Sequence, residues 1–191
     1  MHRLSRLRRV RRSIALVAAA LTLPAAARAE GPGEPDHEIA PQVVFYTGDA
    51  LRGMTLGGLE YTYRAWDEVF LAVGVQAGEL LVDDEVALEA RSGDGFGVAT
   101  LAAVWSFPIR FGLEDDAPIA DFYTSAGPSY FRLGDTNAWG GFIGGGLTVQ
   151  TGWSWLALRA DLKSFFYSVR NLGGQNLNVD VSLALGPAIE L

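Results

Sequence analysis

Apolar and polar residues alternate through most of the chain beyond residue 41. The pattern is clearest over 176–191. There Val179, Val181, Leu183, Leu185, Ile189 and Leu191 share one parity. Asn178, Asp180, Ser182, Ala184, Gly186, Ala188 and Glu190 share the other. A period of two marks a β-strand with one apolar and one polar face.

The same period recurs upstream. Over 54–65, Leu59, Tyr61 and Tyr63 oppose Gly58, Glu60, Thr62 and Arg64. Over 69–80, Val69, Leu71, Val73 and Val75 oppose Ala72, Gly74, Gln76 and Gly78. Over 154–168, Leu156, Leu158, Ala160 and Leu162 oppose Arg159, Asp161 and Lys163. Weaker alternation predicts strands over 42–48, from 96 to a stop at Pro108, over 119–133 and over 140–151. With the last strand the count is eight. Short turns are expected at 49–53, 66–68 and 152–153, and a modest one at 113–118. Longer polar loops are expected at 81–95, 134–139 and 169–175.

Strands of this length, apolar on one face, suit a tilted crossing of a bilayer. Aromatic residues gather at the strand ends. Trp66, Trp105, Phe107, Trp153 and Trp155 lie near the shorter turns, and Tyr46, Tyr130, Phe131, Trp139, Phe166 and Tyr167 near the longer loops. Two such bands fit the interfacial girdles of a membrane barrel. The predicted fold is all-β, a closed antiparallel up-and-down transmembrane β-barrel of about eight strands. A soluble sandwich or lipocalin-like barrel is the competing reading; it leaves the outward apolar faces and the export segment without a reason.

The first 29 residues read as an export signal. Six arginines between Arg3 and Arg12 precede an apolar run from Ile14 to Leu23, and Ala27-Arg28-Ala29 supplies a small-x-small cleavage site. The apolar run is shorter than the roughly 20 residues a membrane helix needs. The expected organisation is therefore a signal peptide (1–29), a Pro- and Gly-rich lead-in (30–41) and a barrel (42–191), placed in the outer membrane. Cleavage removes seven arginines and no acid, so the formal net charge falls from −7 to −14. Such a chain is a poor partner for nucleic acid, whose phosphates need Lys and Arg. There is no cysteine, which excludes disulfides and thiolate metal sites.

The stretches GLEYTYR (Gly58–Arg64), VFLAVGVQAGELL (Val69–Leu81) and FPIRF (Phe107–Phe111) carry a family likeness. Over most of 41–191 the chain resembles the small eight-stranded outer-membrane barrels of the OmpA/OmpX kind. It resembles more closely the "outer membrane beta-barrel domain" proteins of myxobacteria and their relatives. The resemblance implies an outer-membrane barrel and transfers no catalytic residue. The C-terminus is similar to the signal read by the barrel-assembly machinery, with Gly186, Ile189 and Leu191 at its marked positions. It departs from that pattern in ending on Leu rather than an aromatic residue, and in having Ala184 where a polar residue is usual.

Candidate chemistry is sparse. Acyl transfer needs a nucleophile held against a base, and after signal removal the one histidine is His37, in the lead-in. No catalytic residue, cofactor or metal is expected. Asp83-Asp84-Glu85 offers oxygen ligands, but its spacing fits no calcium loop and reads as a solvated turn. The inward polar set is more informative: Glu60, Arg64, Gln76, Asp121, Arg159, Asp161, Lys163 and Asp180, with Gln150 and Glu190. Eight strands enclose only enough room for side chains. Mixed charges there are expected to pair and to plug the lumen. This favours a structural or surface-interaction barrel over a small pore. The partners implied are outer-membrane lipid and lipopolysaccharide, the barrel-assembly machinery during biogenesis, and envelope or surface proteins met through the loops.

Overall fold

The computed structural model describes residues 37–49, 51–66, 68–81, 93–110, 119–171 and 174–191. The export segment with Ala27 and Ala29, and the Asp83-Asp84-Glu85 run, lie outside them. Eight strands follow in chain order: β1 (His37–Gly48), β2 (Met54–Trp66), β3 (Val69–Glu79), β4 (Gly95–Arg110), β5 (Ile119–Leu133), β6 (Thr136–Gln150), β7 (Leu156–Asn171) and β8 (Gly174–Glu190). Each pairs antiparallel with its sequence neighbours, and β8 closes on β1. The fold is a closed up-and-down barrel, so its sheet has no free edge.

Register fixes the width of the barrel. Followed strand to strand from Glu38, through Thr62, Phe142 and Asp180, the pairing returns to β1 at Gly48, ten residues further along. That stagger tilts the strands and leaves an interior that side chains can fill. Inward glycines make room for the larger ones. A β-carbon on Gly146 would collide with the Tyr123 hydroxyl, and one on Gly144 with Lys163. Gly57, which faces outward, has open space around it.

The outer wall is apolar. Val43, Phe45, Leu71, Val73, Leu101, Ile143, Leu158, Leu162, Leu183 and Leu185 are all exposed there. On a water-soluble protein so continuous a patch would drive association; in a bilayer it is the lipid face. Trp66, Trp105, Phe107, Trp153 and Trp155 ring the wall toward the end that carries the first residues of β1 and the last of β8. Trp139 and Phe166 are exposed toward the other end, where Trp139 packs on Tyr130 at 5.0 Å between ring centroids. Tyr46, Phe131 and Tyr167 were expected in this second band. They point inward and are buried, because they share parity with the lumen residues of their strands.

Several boundaries differ from expectation. β1 begins at His37 rather than 42, so part of the expected lead-in pairs with β2 and β8. Pro108 does not end β4, which continues to Arg110 with Pro108 in register against Asp121. The loop expected at 134–139 is a two-residue turn, since Leu133 pairs with Thr136. Gly134, the first residue of that turn, has a φ of 62°, as a Gly-first hairpin of the II′ kind requires. The loop expected at 169–175 also shrinks to 172–173, because Asn171 pairs with Gly174. The polar residues near these turns are strand ends paired with each other.

The lipid face generates a direct expectation. Leu162→Arg or Leu158→Arg should destabilise the folded barrel by about 2–4 kcal/mol if the position lies near the bilayer midplane. Trp153→Arg, at the rim, should cost about 1 kcal/mol or less. Urea unfolding in lipid vesicles measures both.

Candidate functional site in the barrel interior

The lumen is built in two layers. The layer toward the chain termini is polar, and β7 organises it. Arg159, Asp161 and Lys163 alternate along that strand and therefore point the same way. All three are almost completely buried, as is Glu60 on β2. Arg159 reaches across the barrel: Nη2 donates to Glu60 Oε1 at 2.5 Å and Nη1 to Glu38 Oε1 at 2.6 Å. Its Nε donates to Asp161 Oδ2 at 3.1 Å and to the Tyr123 hydroxyl at 2.8 Å. The guanidinium also lies over the Tyr123 ring, 4.7 Å from its centroid, a cation–π arrangement.

The other members close the network. Lys163 Nζ pairs with Glu60 Oε2 and sits 5.6 Å from the Phe142 ring centroid. The Tyr123 hydroxyl donates to Asp161 Oδ1 at 2.5 Å, and Gln42 Nε2 donates to Asp161 Oδ2 at 2.8 Å. Two cations thus face three carboxylates, on β1, β2 and β7. Charges this deep in a protein are tolerated only when paired and hydrogen-bonded.

The second layer is aromatic and apolar. Tyr46, Phe96, Phe131, Phe142, Phe165 and Tyr167 pack with Leu56, Leu80 and Leu133 in one buried cluster. Phe131 stacks on Tyr167 at 4.2 Å and meets Phe165 edge-on at 5.6 Å. A single carboxylate enters this layer. Asp180 is fully buried and accepts from the Tyr46 hydroxyl at 2.8 Å and from the Tyr167 hydroxyl at 2.7 Å. Gly48 lies directly against it; a β-carbon there would overlap the Asp180 carboxylate.

The structure therefore brings Glu60, Arg159, Asp161 and Lys163 together and gives Asp180 a different set of partners, the two tyrosines. Gln76 is buried on β3 in register with Gly58 and Val98. Arg64 lies over the Phe70 ring, 5.1 Å from its centroid. Asp121 is half-buried on β5 in register with Thr148. Near the termini, Gln150 Nε2 donates to Glu190 Oε1 at 2.6 Å. Of the C-terminal positions, Gly186 faces inward, Ile189 pairs in register with Ile39 and Leu156, and Leu191 is exposed with its amide on the His37 carbonyl at 2.9 Å. The sequence reading passed over Glu38, Gln42 and Tyr123, which are first neighbours of the network. Tyr123 already stood on the inward parity of β5. Gln42 already opened the strand expected over 42–48; Glu38 needed β1 to be extended toward its start.

Comparison with family models finds no match, and no curated protein sequence matches the chain. Solved structures do resemble it. The crystal structure of neisserial surface protein A (NspA) covers 83% of this chain and 99% of its own, at 12% identity and a TM-score of 0.51. The solid-state NMR structure of outer membrane protein AlkL, in DMPC lipid bilayers, covers 89% of this chain and 97% of its own, at 13% identity and a TM-score of 0.53. Likeness at these identities is likeness of fold. The chain has the fold of the small, eight-stranded outer-membrane β-barrels, of the OmpA/OmpX kind.

Two substitutions test the interior. Arg159→Ala removes the cation shared by Glu38, Glu60 and Asp161 and should cost about 3–5 kcal/mol, and adding Glu60→Gln should recover part of that loss. Gly146→Ala forces the Tyr123 ring to move and should cost about 1–3 kcal/mol, while Gly57→Ala should be close to neutral. Thermal and urea unfolding of the refolded barrel report each.

Proposed function

We propose that this protein is an integral barrel of the outer membrane, delivered by a cleaved signal peptide, with a structural or surface-interaction role and a lumen closed to solutes. The observation that carries this reading is the stacking of the two interior layers. Arg159 ties β7 to β1 and β2 across the polar layer. Tyr46, Phe131, Phe165 and Tyr167 fill the next layer. An ion crossing the lumen would have to break buried charge pairs and then enter an aromatic layer.

Contact with other molecules then falls to the outer rim and loops. At the end away from the chain termini, β1–β2 are joined by 49–53, β5–β6 by 134–135 and β7–β8 by 172–173. The long connection there is 80–94, between β3 and β4. The connections of this end are the face that meets lipopolysaccharide or surface partners. The opposite end, which carries the first residues of β1 and the last of β8, faces the periplasm. The Gly186, Ile189 and Leu191 positions serve recognition by the assembly machinery.

The test is planar-bilayer recording of the refolded mature protein, beside fractionation of cells that express it. The expected result is recovery with outer membranes, a gel shift on boiling, and no steady conductance. Steady, sizeable conductance from the wild type would replace the closed barrel with a pore. Recovery in the soluble periplasm would remove the membrane reading.

A further inference from the structure

The closing seam between β1 and β8 lacks a rung. Its register runs from Glu38↔Glu190 and Ile39↔Ile189 to Val43↔Leu185 and onward, with no pairing at residues 40–42 against 186–188. The chemistry of two residues accounts for this. The Leu191 amide donates to the His37 carbonyl at 2.9 Å, so odd positions of β1 exchange hydrogen bonds with β8. The same register sets Pro41 opposite Pro187 at one of those positions. Neither has an N–H, so both bonds of that rung are missing. The pairings on either side depend on the same two bonds and vanish with them. β7 and β8, by contrast, pair without a gap from Leu156 to Asn171. The β4–β5 ladder also skips Leu101 and Ala102 against Pro128 and Gly127, but there one proline faces a leucine, so one N–H is missing rather than two.

Little bulk braces this part of the wall from inside. Ala40, Ala157 and Ala188 form a small cluster of their own, apart from the main core. Gly186, beside the missing rung, approaches β1 so closely that a β-carbon would overlap the Pro41 carbonyl. It is in register with Arg159. With no side chain at Gly186, groups on β7 can reach over β8 to β1. They do so twice: Gln42 Nε2 donates to Asp161 at 2.8 Å, and Arg159 Nη1 donates to Glu38 at 2.6 Å.

We propose that the β1–β8 seam is the yielding line of the barrel, and that Gln42–Asp161 and Glu38–Arg159 are the clasp holding it shut. Side chains of the lumen do there what backbone bonds do along β7–β8. The seam opens first when the barrel loosens, and β3 to β6 stay paired while it does. In hydrocarbon a missing backbone bond cannot be replaced by water, so the clasp is what makes this rung tolerable.

Residue-resolved amide exchange of the refolded protein in lipid nanodiscs tests this with an internal control. Ile39, Val43, Leu185 and Ile189 direct their amides into the seam, whereas Ala40, Val44, Ala184 and Ala188 direct theirs to β2 or β7. The first group should exchange about tenfold faster than the second, a difference set by local opening. Pro41→Val with Pro187→Val restores the rung and should remove the difference. Gln42→Leu should widen it without speeding exchange in β3 to β6. Equal exchange of the two groups in the wild type would overturn the proposal, even if no variant folds. So would a difference that survives the double valine change, or a Gln42→Leu effect spread evenly over all strands.

Discussion

The structure depends on one constraint: the wall is apolar on its outside and filled by side chains on its inside. In hydrocarbon an unpaired amide or carbonyl costs several kcal/mol, so a sheet crossing it must close on itself. Closure with eight strands leaves a lumen that side chains fill. Alternation then sends every second residue into that lumen, polar or not. The charged ones are drawn to each other and to hydroxyl groups. Arg159 collects Glu38, Glu60 and Asp161 for this reason, and Asp180 is held by two tyrosine hydroxyls among aromatic rings. The charge network is thus a consequence of barrel closure as much as a device for stabilising it.

Glycine completes this logic. A wall made only of large side chains could not close around Arg159, Lys163, Tyr123 and six aromatic rings. Gly144 and Gly146 on β6 face β7 where Lys163 and Asp161 project, and the Tyr123 ring occupies the room that Gly146 leaves. In a soluble sheet these glycines would weaken the ladder. Here the tight lumen makes them a condition of packing, and the closed ladder absorbs the loss.

Alternation made the strands and their faces legible from the residues alone. The inward sides of β2, β3 and β7 could be read position by position, because a period of two leaves no ambiguity once one residue is placed. What parity cannot give is height. Glu60 and Arg159 are 99 residues apart, and nothing local says that they meet. Their meeting is set by the stagger, a property of all eight strands together. Parity also fails where a strand ends in polar residues. Thr136 and Asn137 look like loop and are ladder, and the same holds near Asn171. The aromatic residues show the opposite error: Tyr46, Phe131 and Tyr167 were assigned by type to an interfacial band, though their own parity placed them inside.

The connections at the end away from the termini have a consequence for how the molecule can vary. Two of them, at 134–135 and 172–173, are as short as a hairpin allows, and each locks the register of its two strands. An insertion there would shift a ladder and turn lumen residues toward lipid. The connection between Glu79 and Gly95 is far longer than a hairpin needs, so its length does not set the register of β3 and β4. The barrel is therefore a frame with one adjustable segment on that face, and sequence added or exchanged between β3 and β4 changes what the face displays while leaving the wall, the stagger and the lumen as they are.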